Sequence, residues 1–237
     1  MIHDRTAAAS QTPHPCGQCQ FYQGSVWTPV DPRAAATLAE RFFRRELEAD
    51  QVLFEQGADN QGVFCVSRGL IALRTHHADG TSTLLKLAYP GEVIGFRSFL
   101  DNGIHKTEAR ALMSSRVCTV ARRDAERVVR ASPGIMERLA ARCVAEIDRS
   151  QQRIIATATT SNKDRLAATL MELIARHGEA DGAVIRARLP LSRKDLADLI
   201  GVPPETLSRL VGRLGKEGYF TFSGREVSIP RAEGGTA

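Results

Sequence analysis

Two groups of residues in this chain have the types and spacing to do chemistry. The first is a set of thiols. Five cysteines occur, Cys16, Cys19, Cys65, Cys118 and Cys143. Cys16-Gly17-Gln18-Cys19 puts two of them close enough to serve one metal ion or one iron–sulfur cluster as thiolates. An odd cysteine count argues against a disulfide framework and leaves metal binding, redox sensing or plain burial. The second group lies in residues 191–218, LSRKDLADLIGVPPETLSRLVGRLGKEG. Glu205, Ser208 and Arg209 share the side of a helix whose opposite side carries Leu207, Leu210, Val211 and Leu214. A carboxylate, a hydroxyl and a guanidinium on one helical face suit the DNA major groove, where arginine donates to guanine and a carboxylate accepts from cytosine. Arg213 and Lys216 flank that face. With Ser192, Arg193 and Thr206 they are the candidates for phosphate contact.

The elements that must position these groups are legible in the surrounding pattern. Ser192 with Asp195 three residues on approaches a capping box at a helix start, and Leu196, Leu199 and Ile200 give that helix an apolar stripe. Ala197 followed four residues later by Gly201 has the spacing of a helix-turn-helix, with a small residue at the crossing and a glycine in the turn. Pro203 and Pro204 suit the start of the second helix, where an N–H has no intrahelical partner. Beyond it, TFSGREVSIP predicts two short strands about Ser223-Gly224, the wing of a winged helix.

Residues 33–47 (RAAATLAERFFRREL) are expected to form a helix. From about 50 to 125 the pattern becomes short alternating runs punctuated by glycines, with Asp79-Gly80 a strong hairpin signal, and reads as a small antiparallel jelly roll. After Pro133 apolar residues recur at threes and fours for roughly 25 positions, a helix ~35 Å long. Such a helix is too long for the small roll alone and suits pairing with its copy from a second subunit. Residues 164–176 read as a further helix after a Thr/Ser/Asn break.

The net charge of +5 is mild, so nucleic-acid binding must come from a local patch. No apolar run reaches the ~18 residues of a membrane span, and the first residues lack the apolar core of a signal peptide. A cytoplasmic protein with reduced thiols is expected. Jelly rolls also host metal enzymes, but His76 and His77 are adjacent and alternate faces on a strand, while His105 is remote. No convergent ligand set appears, and no enzyme is expected.

Roll, long helix and terminal winged helix, in that order, resemble the Crp/Fnr family of transcription regulators over about residues 16–230. The implied fold is α+β: a segment 1–30 bearing the CxxC, a cyclic-nucleotide-binding-like β jelly roll over 31–130, a dimerisation helix over 131–160 and a winged helix-turn-helix over 161–237. Glu205, Ser208 and Arg209 match the Fnr branch, in which these three side chains read TTGAT half-sites. The cyclic-AMP branch resembles the chain less. Its ribose-binding glutamate falls at Phe96 and its Arg-Ser pair at Lys106-Thr107, and lysine cannot make arginine's bidentate phosphate contact.

The resemblance implies a dimer on double-stranded DNA that works with RNA polymerase. For the Fnr branch it also implies a [4Fe–4S] cluster responsive to oxygen. Cys16, Cys19 and Cys118 match ligand positions, but Ser25 stands where a further N-terminal cysteine is usual. The fourth ligand stays open, with His14 and Asp31 as candidates. Cys65 and Cys143 read as packing residues. The alternative is a regulator of the same family with a thiol-redox, haem/nitric-oxide or other small-effector sensor and no cluster.

Overall fold

The computed structural model describes residues 20–21, 24–28, 38, 41–101 and 103–231. The chain divides into two compact units, residues 1–80 with 87–146, and residues 81–86 with 147–237. Strands β1 (Phe42–Leu47), β2 (Val52–Phe54), β3 (Gly62–Arg68), β4 (Ile71–His76), β5 (Ser82–Ala88), β6 (Val93–Ile94), β7 (Glu108–Ala111) and β8 (Ser115–Ala121) form the roll. They make two four-stranded sheets, in the orders β1-β8-β3-β6 and β2-β7-β4-β5. Helices α1 (Phe96–Leu100) and α2 (Arg122–Ala131) belong to the first unit, and the 26-residue α3 (Gly134–Thr159) begins there.

The period-two alternation of strand side chains gives the first sheet two apolar faces. Phe64 and Val66 of β3 and Val117 of β8 point into the roll, with Leu47, Phe54, Ile71 and Ala109. Val63 of β3 and Val120 of β8 point the other way and pack with Val26, Trp27, Phe99, Val128, Ile135 and Leu139. The second face therefore seats α2, the start of α3 and a piece of the N-terminal segment.

Residues 42–47 differ from expectation. They are not the end of a helix but strand β1, antiparallel to β8 from Phe42↔Val120 to Leu47↔Ser115. Six residues on the open edge of β8 satisfy their backbone across the sheet while Leu47 is buried. That tertiary gain overrides a weak helical preference in FFRREL.

The second unit contains α4 (Asn162–His177), β9 (Gly178–Asp181), β10 (Val184–Arg188), α5 (Arg193–Ile200), α6 (Pro204–Lys216), β11 (Thr221–Ser223) and β12 (Glu226–Pro230). Its sheet runs β11-β12-β10-β9, and β11 with β12 is the expected wing about Ser223-Gly224. The break between α3 and α4 falls at residues 160–161, where the Ser161 hydroxyl accepts from the Asp164 amide. Arg165 staples this break, donating to the Thr160 carbonyl at 2.7 Å and to the Ile200 carbonyl at the end of α5 at 3.0 Å. Among the described residues no helix is long and apolar enough to cross a membrane.

One polar knot sits inside the first unit. Asn60 donates to the Gly95 carbonyl and the Ser98 hydroxyl, both at 2.9 Å. His105 Nδ1 lies 2.9 Å from the same hydroxyl. The imidazole stacks on Phe54 with ring centroids 3.8 Å apart, and its buried Nε2 has no partner among the described residues. Burial lowers the His105 pKa below the ordinary 6.5, because a charged ring would lose its hydration. The stabilising contribution of the neutral ring is complete above pH 6.5 and is lost as pH falls from there through the folded-state value. The thermal midpoint of this unit is expected to drop on acidification over that window. His105→Gln should flatten the drop when melts are followed across the same pH range.

Candidate nucleic-acid interface and thiol site

The helix-turn-helix is built from local bonds that the sequence specifies. Ser192 accepts from the Asp195 amide at 3.1 Å, while Asp195 Oδ2 accepts from the Ser192 amide at 2.8 Å, a reciprocal capping box. Both Ser192 donors are directed at Asp195, since its hydroxyl also lies 2.8 Å from Oδ2. Helix α5 ends at Gly201, whose φ of +68° a residue with a Cβ rarely adopts. Pro203 caps α6 and Pro204 opens it.

Helix α6 buries Leu207, Leu210 and Leu214 and leaves Glu205, Ser208, Arg209, Arg213 and Lys216 exposed. Glu205, Ser208 and Arg209 thus present one acceptor, one hydroxyl and one forked donor on the open side of the helix. Ser208 donates to the Pro204 carbonyl at 3.1 Å, which leaves its oxygen lone pairs outward. Thr206 is half-buried. Beside this face Arg193 lies over the Phe222 ring of β11, 5.7 Å from its centroid, and joins the wing to the start of α5. The far end of α6 is pinned by Lys163, which meets the Glu217 carboxylate at 3.0 Å.

Three of the five thiols lie among the described residues, Cys65, Cys118 and Cys143. Cys16 and Cys19, like His14 and Asp31, lie outside the described residues. Cys118 on β8 is buried, and its cross-strand partner on β3 is Cys65. Directly opposed residues of antiparallel strands project to the same face, so the two thiols are neighbours on the face that seats the N-terminal segment. Cys65 packs against the apolar cluster there, as its apolar neighbours suggest. Trp27 is fully buried and donates its indole N–H to Cys65 Sγ at 3.3 Å. Cys143 on α3 packs against the same apolar cluster, and burial, helped by the Glu146 charge, raises its pKa. Among the described residues no group of three or more metal-ligating side chains converges. Of the cluster ligands that the resemblance implies, Cys118 alone lies among the described residues.

Three further side chains escaped the sequence reading. Arg138 donates to the Val26 carbonyl at 2.9 Å and Arg142 to the Gly24 carbonyl at 2.6 Å. These two guanidiniums tie the N-terminal segment to the long helix. Trp27 is the third, and its being the sole tryptophan of the chain was the available signal. Phe96, which stands at the ribose-binding position of the cyclic-AMP branch, is buried in the apolar cluster with Val63 and Val93. Lys106 is exposed.

Further along α3 the apolar residues Val144, Ile147 and Ile154 are 57%, 55% and 70% exposed. Their steps of three and seven follow a heptad seam.

Comparison with known proteins gives two family matches, a cyclic nucleotide-binding domain over residues 44–132 and a Crp-like helix-turn-helix domain over residues 164–234. The chain is 26% identical to the regulatory protein HlyX of Actinobacillus pleuropneumoniae, over 80% of this chain and 79% of that one. It is 24% identical to the fumarate and nitrate reduction regulatory protein of Salmonella typhimurium, over 80% and 76% of the two chains. Its fold is that of FixK2 from Bradyrhizobium japonicum, with a TM-score of 0.65 at 24% identity over 81% of this chain and 93% of that one. The first two of these relatives are named as regulatory proteins.

The capping box makes a measurable demand on the second unit. Ser192→Ala removes the hydroxyl that accepts from Asp195 and is expected to cost about 1 kcal/mol. The chemical-denaturation midpoint of that unit should fall accordingly. A change confined to the salt dependence of DNA binding would instead mark Ser192 as a phosphate contact.

Proposed function

We propose, from the premise that this chain belongs to the Crp/Fnr family of transcription regulators, that it is a dimeric regulator of the Fnr type which reads TTGAT-like half-sites. The observation that carries this reading is the open trio Glu205, Ser208 and Arg209 on α6, backed by buried Leu207 and Leu210. Arg209 would donate bidentately to guanine and Glu205 would accept from a cytosine amino group, with Ser208 between them. Arg193, Thr206, Arg213 and Lys216 would meet the phosphates on either side and fix the helix in register.

Two such helices meet two half-sites one helical turn apart only in a dimer. The exposed seam of Val144, Ile147 and Ile154 on α3 supports the second copy of this chain as its partner. The organisation we propose is an N-terminal segment over 1–30, a sensor roll over 31–130, a dimerisation helix over 131–160 and a winged helix-turn-helix over 161–237. Double-stranded DNA and RNA polymerase are the other partners, in the cytoplasm.

For the sensor we propose thiolate ligation of a [4Fe–4S] cluster by Cys16, Cys19 and Cys118. When bound, such a cluster supplies iron chemistry sensitive to oxygen. The chain's own contribution is to link that region to the dimer helix. Trp27 is seated over Cys65, and Arg138 and Arg142 of α3 hold the carbonyls of Val26 and Gly24. A rearrangement of the N-terminal segment would therefore act on α3 through two guanidinium bonds and shift the population of dimer-competent helices. Burial of Phe96 and the exposed Lys106 favour this sensor over cyclic-nucleotide control.

Binding to duplexes carrying TTGAT half-sites tests the DNA reading. Arg209→Ala is expected to cost ~1–3 kcal/mol and to relax discrimination at one base pair. Arg213→Ala should weaken all sequences alike and flatten the salt slope. Unchanged discrimination at every base in Arg209→Ala overturns the assignment of α6. For the sensor, full-length protein purified without oxygen should carry iron and acid-labile sulfide and lose both, with weakened DNA binding, on exposure to air. A colourless, iron-free preparation with the same DNA affinity removes the cluster from the reading.

A further inference from the structure

We propose that Cys65 and Cys118 are a reversible redox pair, closed by a peroxide into a cross-strand disulfide that unseats Trp27. No metal takes part. A Cys118 held by iron is withheld from this chemistry, which therefore belongs to the chain without a cluster.

Cys65 and Cys118 face each other directly on antiparallel β3 and β8. Opposed residues of such strands have Cα atoms about 4.5 or 5.5 Å apart, according to the kind of pair. Both values fall within the roughly 4.4–6.8 Å that a disulfide spans. The Cβ atoms, about 4.5–5.5 Å apart, need approach by only about 1 Å to enter the range of a bonded pair. The flanking pairs Phe64↔Thr119 and Val66↔Val117 keep the strands from sliding, because Phe64, Val66 and Val117 are buried in the roll. The sulfurs are thus held in reach of one another by the same packing that holds the register. The small approach stores strain in the bond, and a strained disulfide is readily reduced.

The two sulfurs are not equivalent. Cys118 is buried and Cys65 half-buried, so a small oxidant meets Cys65 first. Trp27 donates its indole N–H to Cys65 Sγ at 3.3 Å. A donor aimed at a sulfur stabilises negative charge there, and the thiolate is the nucleophile. Cys143 packs against the same apolar cluster, but it lies on α3 rather than on either strand. Burial, with the Glu146 charge, also raises its pKa.

The chemistry takes two steps. The Cys65 sulfur attacks hydrogen peroxide: an S–O bond forms, the O–O bond breaks, and the departing hydroxide leaves as water with the thiol proton. The Cys118 sulfur then attacks the Cys65 sulfenic acid: the S–S bond forms, the S–O bond breaks, and the hydroxyl leaves as water with the Cys118 proton. The two thiols lose two electrons and the peroxide accepts them. A dithiol reverses the bond by exchange.

Closing the bond draws Cys65 Sγ to about 2 Å from Cys118 Sγ, and so away from the indole. Trp27 is fully buried, and a buried indole N–H needs an acceptor. The seat of Val26 and Trp27 must therefore rearrange when the pair is oxidised. Trp27 is the sole tryptophan of the chain, so its fluorescence reports that rearrangement directly.

The test uses the full-length chain, reduced with dithiothreitol in the presence of a chelator, desalted and treated with hydrogen peroxide. Wild type is compared with Cys65→Ser and with the triple variant Cys16→Ser/Cys19→Ser/Cys143→Ser, in which Cys65 and Cys118 are the remaining thiols. Circular dichroism verifies the fold of each. In the triple variant peroxide should lower the mass by two hydrogen atoms, abolish alkylation of both thiols and yield a tryptic peptide pair joined through Cys65 and Cys118. Wild type should give the same joined pair. Trp27 emission should shift on oxidation and return with dithiothreitol, and the shift should vanish in Cys65→Ser. A folded triple variant whose two thiols still alkylate after peroxide, or are oxidised separately to sulfinic acids, overturns the pair. So does a wild-type map that joins Cys65 or Cys118 to another cysteine instead. A joined pair with unchanged Trp27 emission overturns the unseating.

Discussion

The pairing of β3 with β8 is the constraint on which the first unit depends. It joins residues separated by some fifty positions in the chain and fixes, by alternation alone, which side chains face which way. Val63↔Val120 and Cys65↔Cys118 lie on one side, Phe64↔Thr119 and Val66↔Val117 on the other. A slip of one residue would exchange the two sets. It would push the thiols into the roll and strip the apolar seat from beneath α2 and α3. Because Phe64 and Val66 are needed inside the roll, the register is held by burial energy. The placement of the two cysteines comes with it.

That seat also explains why the chain is held at Val26 and Trp27. Both are essentially inaccessible to solvent. Their backbone neighbours are held from the opposite side by Arg138 and Arg142. The segment is a wedge between the thiol face of the sheet and the first turns of α3. Apolar packing holds it below and charge-assisted hydrogen bonds hold it above. Charge-assisted bonds are roughly twice as strong as neutral ones, so residues 24–26 have a firm connection to the helix.

The second unit was legible in the sequence because its determinants are local. A Ser/Asp capping box, a glycine in the turn, a Pro-Pro helix start and an apolar stripe each act within a few residues, and all agree on one geometry. The roll was legible as a class for a similar reason: alternation and glycine turns recur over short spans. What was hidden depends on distant pairing. FFRREL at residues 42–47 became a strand because β8 offers an open edge, a fact written some seventy residues away. Cys65 looked like a core residue because its neighbours in sequence are apolar. Its neighbour in space, Cys118, is set by register, which no local pattern reveals. Arg138 and Arg142 carry no local signal, and only the path of residues 24–26 gives them carbonyls to hold.

The two thiols and the two arginines bear on one another through energetics. The strands that carry Cys65 and Cys118 cannot yield without breaking the register that buries Phe64 and Val66. A strain arising beside the thiols is therefore taken up by the residues packed on that face, Val26 and Trp27. From there the bonds of Arg138 and Arg142 to the carbonyls of Val26 and Gly24 lead into the first turns of α3. Rigidity on the sheet side thus gives this contact its direction, from the sheet toward the helix.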